Sequence, residues 1–175
     1  MKSLIFIMLV SNIVFADGFS LQSKDLLGQI SNNQVFNSFG CSGKNISPQL
    51  VWSDAPKGTK SFAITIYDPD APTGSGWWHW IVTNIPVSST SIVADGSEKN
   101  ILPKGAIESI NDFGSTKFGG ACPPKGDKPH RYITTVYALD TDNLDISSKS
   151  DSALVGYMIN KHTIAKTSMI SYYGR

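Results

Sequence analysis

The sequence predicts a mainly β domain with a single helix packed at its C-terminal end. Three observations carry that expectation. Runs of four to eight β-branched and aromatic residues recur between Gly, Pro and Asp. The 15 Gly, 9 Pro and 10% aromatic residues suit short strands joined by long irregular loops rather than a helical bundle. Only one stretch, late in the chain, keeps a helical period.

The first sixteen residues read as an export signal. Met1-Lys2-Ser3 is a short positive start, Leu4 to Phe15 is mostly apolar, and Val14 and Ala16 fit the small-residue pattern of a cleavage site. The run is too short and too interrupted, by Ser11 and Asn12, for a span of about 20 residues, so stable membrane insertion is not expected. Cleavage after Ala16 leaves a single domain of residues 17–175 with a periplasmic or secreted address. Loss of Lys2 leaves 14 basic and 14 acidic side chains from the 15 and 14 of the whole chain. A neutral chain without a basic stripe excludes nucleic acid as its main partner.

Phe19–Leu21 and the region of Phe36 suggest short strands, and Leu50–Trp52, Ser61–Tyr67, Trp78–Ile85 and Tyr132–Leu139 clearer ones. Within Ser61–Tyr67, Phe62, Ile64 and Ile66 face one way and Ala63, Thr65 and Tyr67 the other. Strict alternation likewise puts His79 on the face of Ile81, opposite Trp78 and Trp80. The stretch from Ala94 to His130 has no sustained period. Ser150 or Asp151 can cap a helix carrying Leu154, Val155, Met158, Ile159, His162 and Ala165, which runs to about Met169. Cys41 and Cys122 are the only cysteines; export allows them one disulfide, and the alternative is two free thiols.

Three places could carry chemistry. Asp68-Pro69-Asp70-Ala71-Pro72 holds two carboxylates on a stiff turn at a strand end. His79 lies inside Trp77-Trp78-His79-Trp80; taken alone it reads as a core histidine. Gly119-Gly120-Ala121-Cys122-Pro123-Pro124, followed by His130-Arg131-Tyr132, either lets backbone N–H groups approach a ligand or simply makes a tight turn.

Together with Asn45-Ile46-Ser47-Pro48-Gln49-Leu50-Val51-Trp52, Asn84-Ile85-Pro86 and Tyr173-Gly174-Arg175, these pieces fall in one order over nearly all of residues 19–175. In that order they resemble the phosphatidylethanolamine-binding protein, or Raf kinase inhibitor-like, family, and its bacterial branch most. The resemblance implies an antiparallel β-sandwich with a small anion pocket at one end. It implies a pocket lined by Asp68, His79, Pro124, His130 and Tyr132, with Asp70 and Gly120 adjacent, that takes phosphate or a phosphorylated headgroup. Two imidazoles suit an oxyanion, since each donates N–H bonds and gains charge as pH falls through roughly 6.5. Asp68 would orient an imidazole rather than touch the anion, so the bound species is expected to carry a proton or an amine. Ala121 departs from the family's proline, and the aromatic residue of the preceding loop is matched only loosely, by Phe118. With the chain stopping at Arg175, the mouth of the pocket is expected to be open.

The leading reading is therefore a binding module without cofactor, metal or catalytic residue, which also leaves room for a partner protein. One alternative is a phosphoester hydrolase using a metal on His79, His130 and Asp68, or one histidine as general base. The other is an interaction protein with a vestigial pocket. Asn45-Ile46-Ser47 matches a glycosylation sequon and is read as structural.

Overall fold

The computed structural model describes residues 18–175, so the expected signal segment, residues 1–16, lies outside the described residues. Nine elements follow in order: β1 (Ser20–Gln22), β2 (Leu50–Ser53), β3 (Ser61–Asp68), β4 (Trp77–Pro86), β5 (Ser91–Ile92), β6 (Ile107–Glu108), β7 (His130–Leu139), α1 (Ser152–His162) and β8 (Thr163–Tyr173). They form two antiparallel sheets, β1-β2-β5 and β6-β4-β3-β7-β8. Among the described residues no helix is long and apolar enough to cross a membrane.

The alternation of β3 explains the layering. Phe62, Ile64 and Ile66 face Leu50 and Trp52 of β2 and Ile92 of β5, and this cluster fills the space between the sheets with Trp80, Val82 and Val136. Ala63, on the opposite face, joins Ile81 and Leu139 under Val155 and Ile159 of α1. β3 is thus covered on both sides and reads as an almost continuous apolar run. Asp151 caps α1, its carboxylate accepting from Leu154 N–H at 2.8 Å.

The helix ends earlier than its pattern predicts. From Thr163 the chain extends and pairs with β7 along its whole length, from Leu139↔Thr163 to His130↔Tyr173. Thr163, Ile164, Thr167 and Ile170 are β-branched, and the exposure pattern of β8 alternates. Ala165 and Met169, which continue the helical count, also satisfy a period of two, and both turn toward the inter-sheet core. The open edge of β7 decides between the two periods.

Phe36 is not in a strand; Val35 makes an isolated bridge to Ala121 instead. The expected strand at Phe19–Leu21 is β1, one residue further on. Residues 94–130 are irregular apart from β6 and that bridge, but they are firmly tied. Glu108 accepts from Trp80 Nε1 at 2.8 Å and Lys117 Nζ at 2.9 Å, and also from Ser97 Oγ. Cys41 and Cys122 are bonded, with their Cα atoms 6.0 Å apart.

Candidate functional site

β3 and β7 are neighbours in the sheet, and the site begins where one ends and the other starts. Pro69 stops β3 directly after Asp68. His130 opens β7 beside it, and its Nδ1–H donates to Asp68 Oδ2 at 2.7 Å, both side chains being at most 3% exposed. Asp68 Oδ1 accepts from the Asp70 N–H at 2.8 Å. Asp127 Oδ2 stands 3.5 Å from the other nitrogen of His130, so this imidazole lies between two carboxylates. Asp70 faces away. Its carboxylate takes Arg131 Nε and Nη2, each at 2.8 Å, and the Arg131 N–H at 2.9 Å. That fork holds the Asp70 carboxyl far below the usual carboxylate range, although partial burial opposes it.

His79 reaches the site through an irregularity of β4. Ile66 pairs with Trp80 and Tyr67 with Trp78, so His79 is the extra residue of a β-bulge. Alternation puts it with Ile81; instead Ile81 packs under α1 while the His79 ring lies 5.1 Å from that of Tyr132. Its Nδ1 is 2.7 Å from the Gly119 carbonyl oxygen. A carbonyl only accepts, so Nδ1 carries the proton and a neutral ring leaves Nε2 as a bare lone pair. Burial pushes the His79 imidazole below its ordinary value, against the opposing pull of the Gly119 carbonyl and the Asp68 charge.

Asp68, His79, His130 and Tyr132 meet on one cavity of about 230 Å³. Tyr132 is 2% exposed, and its hydroxyl has no hydrogen-bond partner among the described residues. Burial keeps that phenol protonated well above its ordinary range. Pro124 and Pro123 form one wall, continued by Cys122. The disulfide ties that wall to Cys41, and Arg175 ties the same two loops again through Pro123 O at 2.6 Å and Gly40 O at 2.7 Å. Phe39, Phe113 and Trp77, with the Ala71–Thr73 turn, complete the lining.

Five of the seven residues expected at the pocket, namely Asp68, His79, Pro124, His130 and Tyr132, therefore line one cavity, and Asp70 and Gly120 stand behind it. The glycine run is neither a tight turn nor a ligand cradle: it runs extended beside Gln34–Phe36, and its amide groups are used internally. Gly119 N–H donates to the His79 carbonyl, Gly120 N–H to Asn45 Oδ1 at 2.7 Å and Ala121 N–H to the Gln34 carbonyl. A Cβ on Gly120 would collide with the Gln34 carbonyl and lie 2.6 Å from Phe36 N. Asn45, the sequon residue, also donates to Phe118 O at 3.1 Å, which gives it a structural task.

Phe118 is not the loop's pocket aromatic: it is buried in the core against Trp80, and Phe113 faces the cavity. Phe113 and Asn111 are the residues that sequence reasoning missed. Asn111 donates to the His79 and Lys117 carbonyls and accepts from Phe113 and Ser115 N–H, which folds the loop so that Phe113 meets His79 at 5.3 Å. An asparagine followed by turn residues was the one local signal. Among the described residues no group of three His, Cys, Asp or Glu is placed to hold a metal ion.

Comparison with known proteins agrees with this architecture. The family model for phosphatidylethanolamine-binding protein matches residues 28–174. The UPF0098 protein YbcL of Escherichia coli K12 is 49% identical over 99% of this chain and 98% of its own. The UPF0098 protein YbhB of the same organism is 45% identical over 83% of this chain and 92% of its own. The crystal structure of E. coli YbcL, a member of the mammalian PEBP family, superposes with a TM-score of 0.87 at 50% identity, covering 90% of this chain and 98% of that one. With its order of strands, its end-of-sheet cavity and these matches, the chain belongs to the phosphatidylethanolamine-binding protein family.

Proposed function

We propose that this protein is exported and that its cavity binds a small anion, phosphate or a phosphorylated headgroup, without turning it over. The observation that carries the reading is the meeting of His79 with the Asp68–His130 pair on one buried cavity. A buried carboxylate–imidazole pair orients its ring. When His130 is protonated, its Nε2–H is a donor for an oxyanion. Tyr132 brings a second donor, an O–H with no partner among the described residues. A disulfide beside the cavity is in keeping with an oxidising compartment. It also removes Cys122 as a nucleophile.

Calorimetric titration of the protein from Asp17 onward with phosphate and with O-phosphoethanolamine tests the reading. Binding is expected at about pH 6, to weaken at about pH 8, and to vanish in a His79→Ala/His130→Ala variant that remains folded by circular dichroism. Absence of heat with either anion at both pH values would sink it.

A further inference from the structure

The cavity is larger and more apolar than a bare phosphate requires. Its 230 Å³ compares with about 30 Å³ for one water molecule. The polar groups Asp68, His79, His130 and Tyr132 share the cavity with three aromatic side chains, of which Phe113 touches the other two. The Phe39 and Phe113 rings are 5.7 Å apart, and Trp77 meets Phe113 edge-on at 5.3 Å. Phe39 is 65% exposed, an unusual situation for a phenylalanine whose ring lines a cavity. The backbone holds it there at φ 53°, a left-handed conformation that a bulky residue adopts at a cost. The disulfide at Cys41 and the Arg175 contact at Gly40 fix the loop directly after it.

The polar side of the cavity is equally selective. Gly119 O accepts the only proton of a neutral His79 ring, which leaves a lone pair at Nε2. A fully ionised phosphate has acceptors only and would set oxygen against that lone pair. A phosphate that keeps one P–O–H donates to Nε2 instead, while its ionised oxygens remain for His130 and the Tyr132 hydroxyl.

On that reading of the cavity as an anion site, we infer that the ligand is a singly protonated phosphomonoester of an apolar, preferably aromatic, alcohol. Its P–O–H donates to His79 Nε2, and its carbon body lies among Phe39, Phe113 and Trp77. The site thereby discriminates against inorganic phosphate and O-phosphoethanolamine, which leave the aromatic wall bare. It also discriminates against sulfate monoesters, which have the charge and size of the protonated phosphoester but no proton to give.

Titration of the folded protein at about pH 6 with four probes decides: inorganic phosphate, O-phosphoethanolamine, phenyl phosphate and phenyl sulfate. Phenyl phosphate is expected to bind about tenfold or more tightly than inorganic phosphate or O-phosphoethanolamine, the effect of burying one ring. Phenyl sulfate is expected to bind about tenfold or more weakly than phenyl phosphate, because a buried acceptor is then left unpaired. Raising the pH through about 6, where a phosphomonoester loses its second proton, weakens phenyl phosphate. Phe39→Ser, at an exposed position, and Phe113→Leu, which keeps bulk, are expected to narrow the gap between phenyl phosphate and phosphate.

Equal affinity for phenyl phosphate and phosphate would overturn the aromatic half, and equal affinity for phenyl sulfate and phenyl phosphate the proton-acceptor half. Either result would leave the anion site standing. Failure of all four probes to bind would overturn the anion site and this inference together.

Discussion

The ring of His79 refuses a proton that the unfolded chain accepts, and this gives the residue a pH signature. Below about 6.5, the ordinary value, the unfolded imidazole is charged while the buried one stays neutral. Stability linked to the neutral ring is therefore complete above pH 6.5 and is lost as pH falls. His79→Gln retains an N–H for the Gly119 carbonyl and removes the titration. Its Tm, followed by circular dichroism, is expected to drop less than that of the unaltered protein between about pH 7.5 and about pH 5. Equal drops would assign the acid sensitivity to another group. Asp70 acts in a separate window. Its folded carboxyl is held down by Arg131, so its contribution is present above about 3.8 and is lost below it as pH falls.

Among the elements, the extended Gly119-Gly120 segment tolerates little change. Gly120 lies against the backbone of Gln34 and Phe36, which cannot rotate out of the way as a side chain can. Gly120→Ala is expected to cost about 1–3 kcal/mol in urea denaturation, the usual cost of overpacking. A neutral result would mean that the 34–36 segment yields freely. How far such elements can be read from sequence depends on what fixes them. β3 was legible because both of its faces are packed, so it reads as a nearly continuous apolar and β-branched run ending at Pro69. The Asp68–Pro69 strand end was legible because proline acts locally. The boundary between α1 and β8 was not, because Ala165 and Met169 satisfy both periods and only the edge of β7 chooses between them. The bulge at His79 has no glycine or proline to announce it. It appears only when β4 is laid against β3, so strict alternation puts His79 on the wrong face. Phe113 was hidden for a similar reason, since Asn111 places it through contacts with β4 rather than through any period of its own loop.

For the whole molecule, the Cys41–Cys122 bond closes 81 residues, which include β2 through β6. In the chain-entropy account a loop of that length stabilises by about 4 kcal/mol. Cys41→Ala/Cys122→Ala is expected to lose about 2–4 kcal/mol in urea denaturation at neutral pH. An unchanged midpoint would place the stability in the two cores alone. The order of strands in the large sheet has a consequence for synthesis. β3 and β4 are adjacent in the sequence and can pair early, but the other neighbour of β3 is β7, which emerges only after the long irregular stretch. Throughout that interval the most apolar strand of the protein presents a free row of amide and carbonyl groups. A growing chain at this stage has the features that make intermediates stick to one another, so the nascent protein depends on shielding of Ser61–Asp68 until His130–Leu139 has arrived.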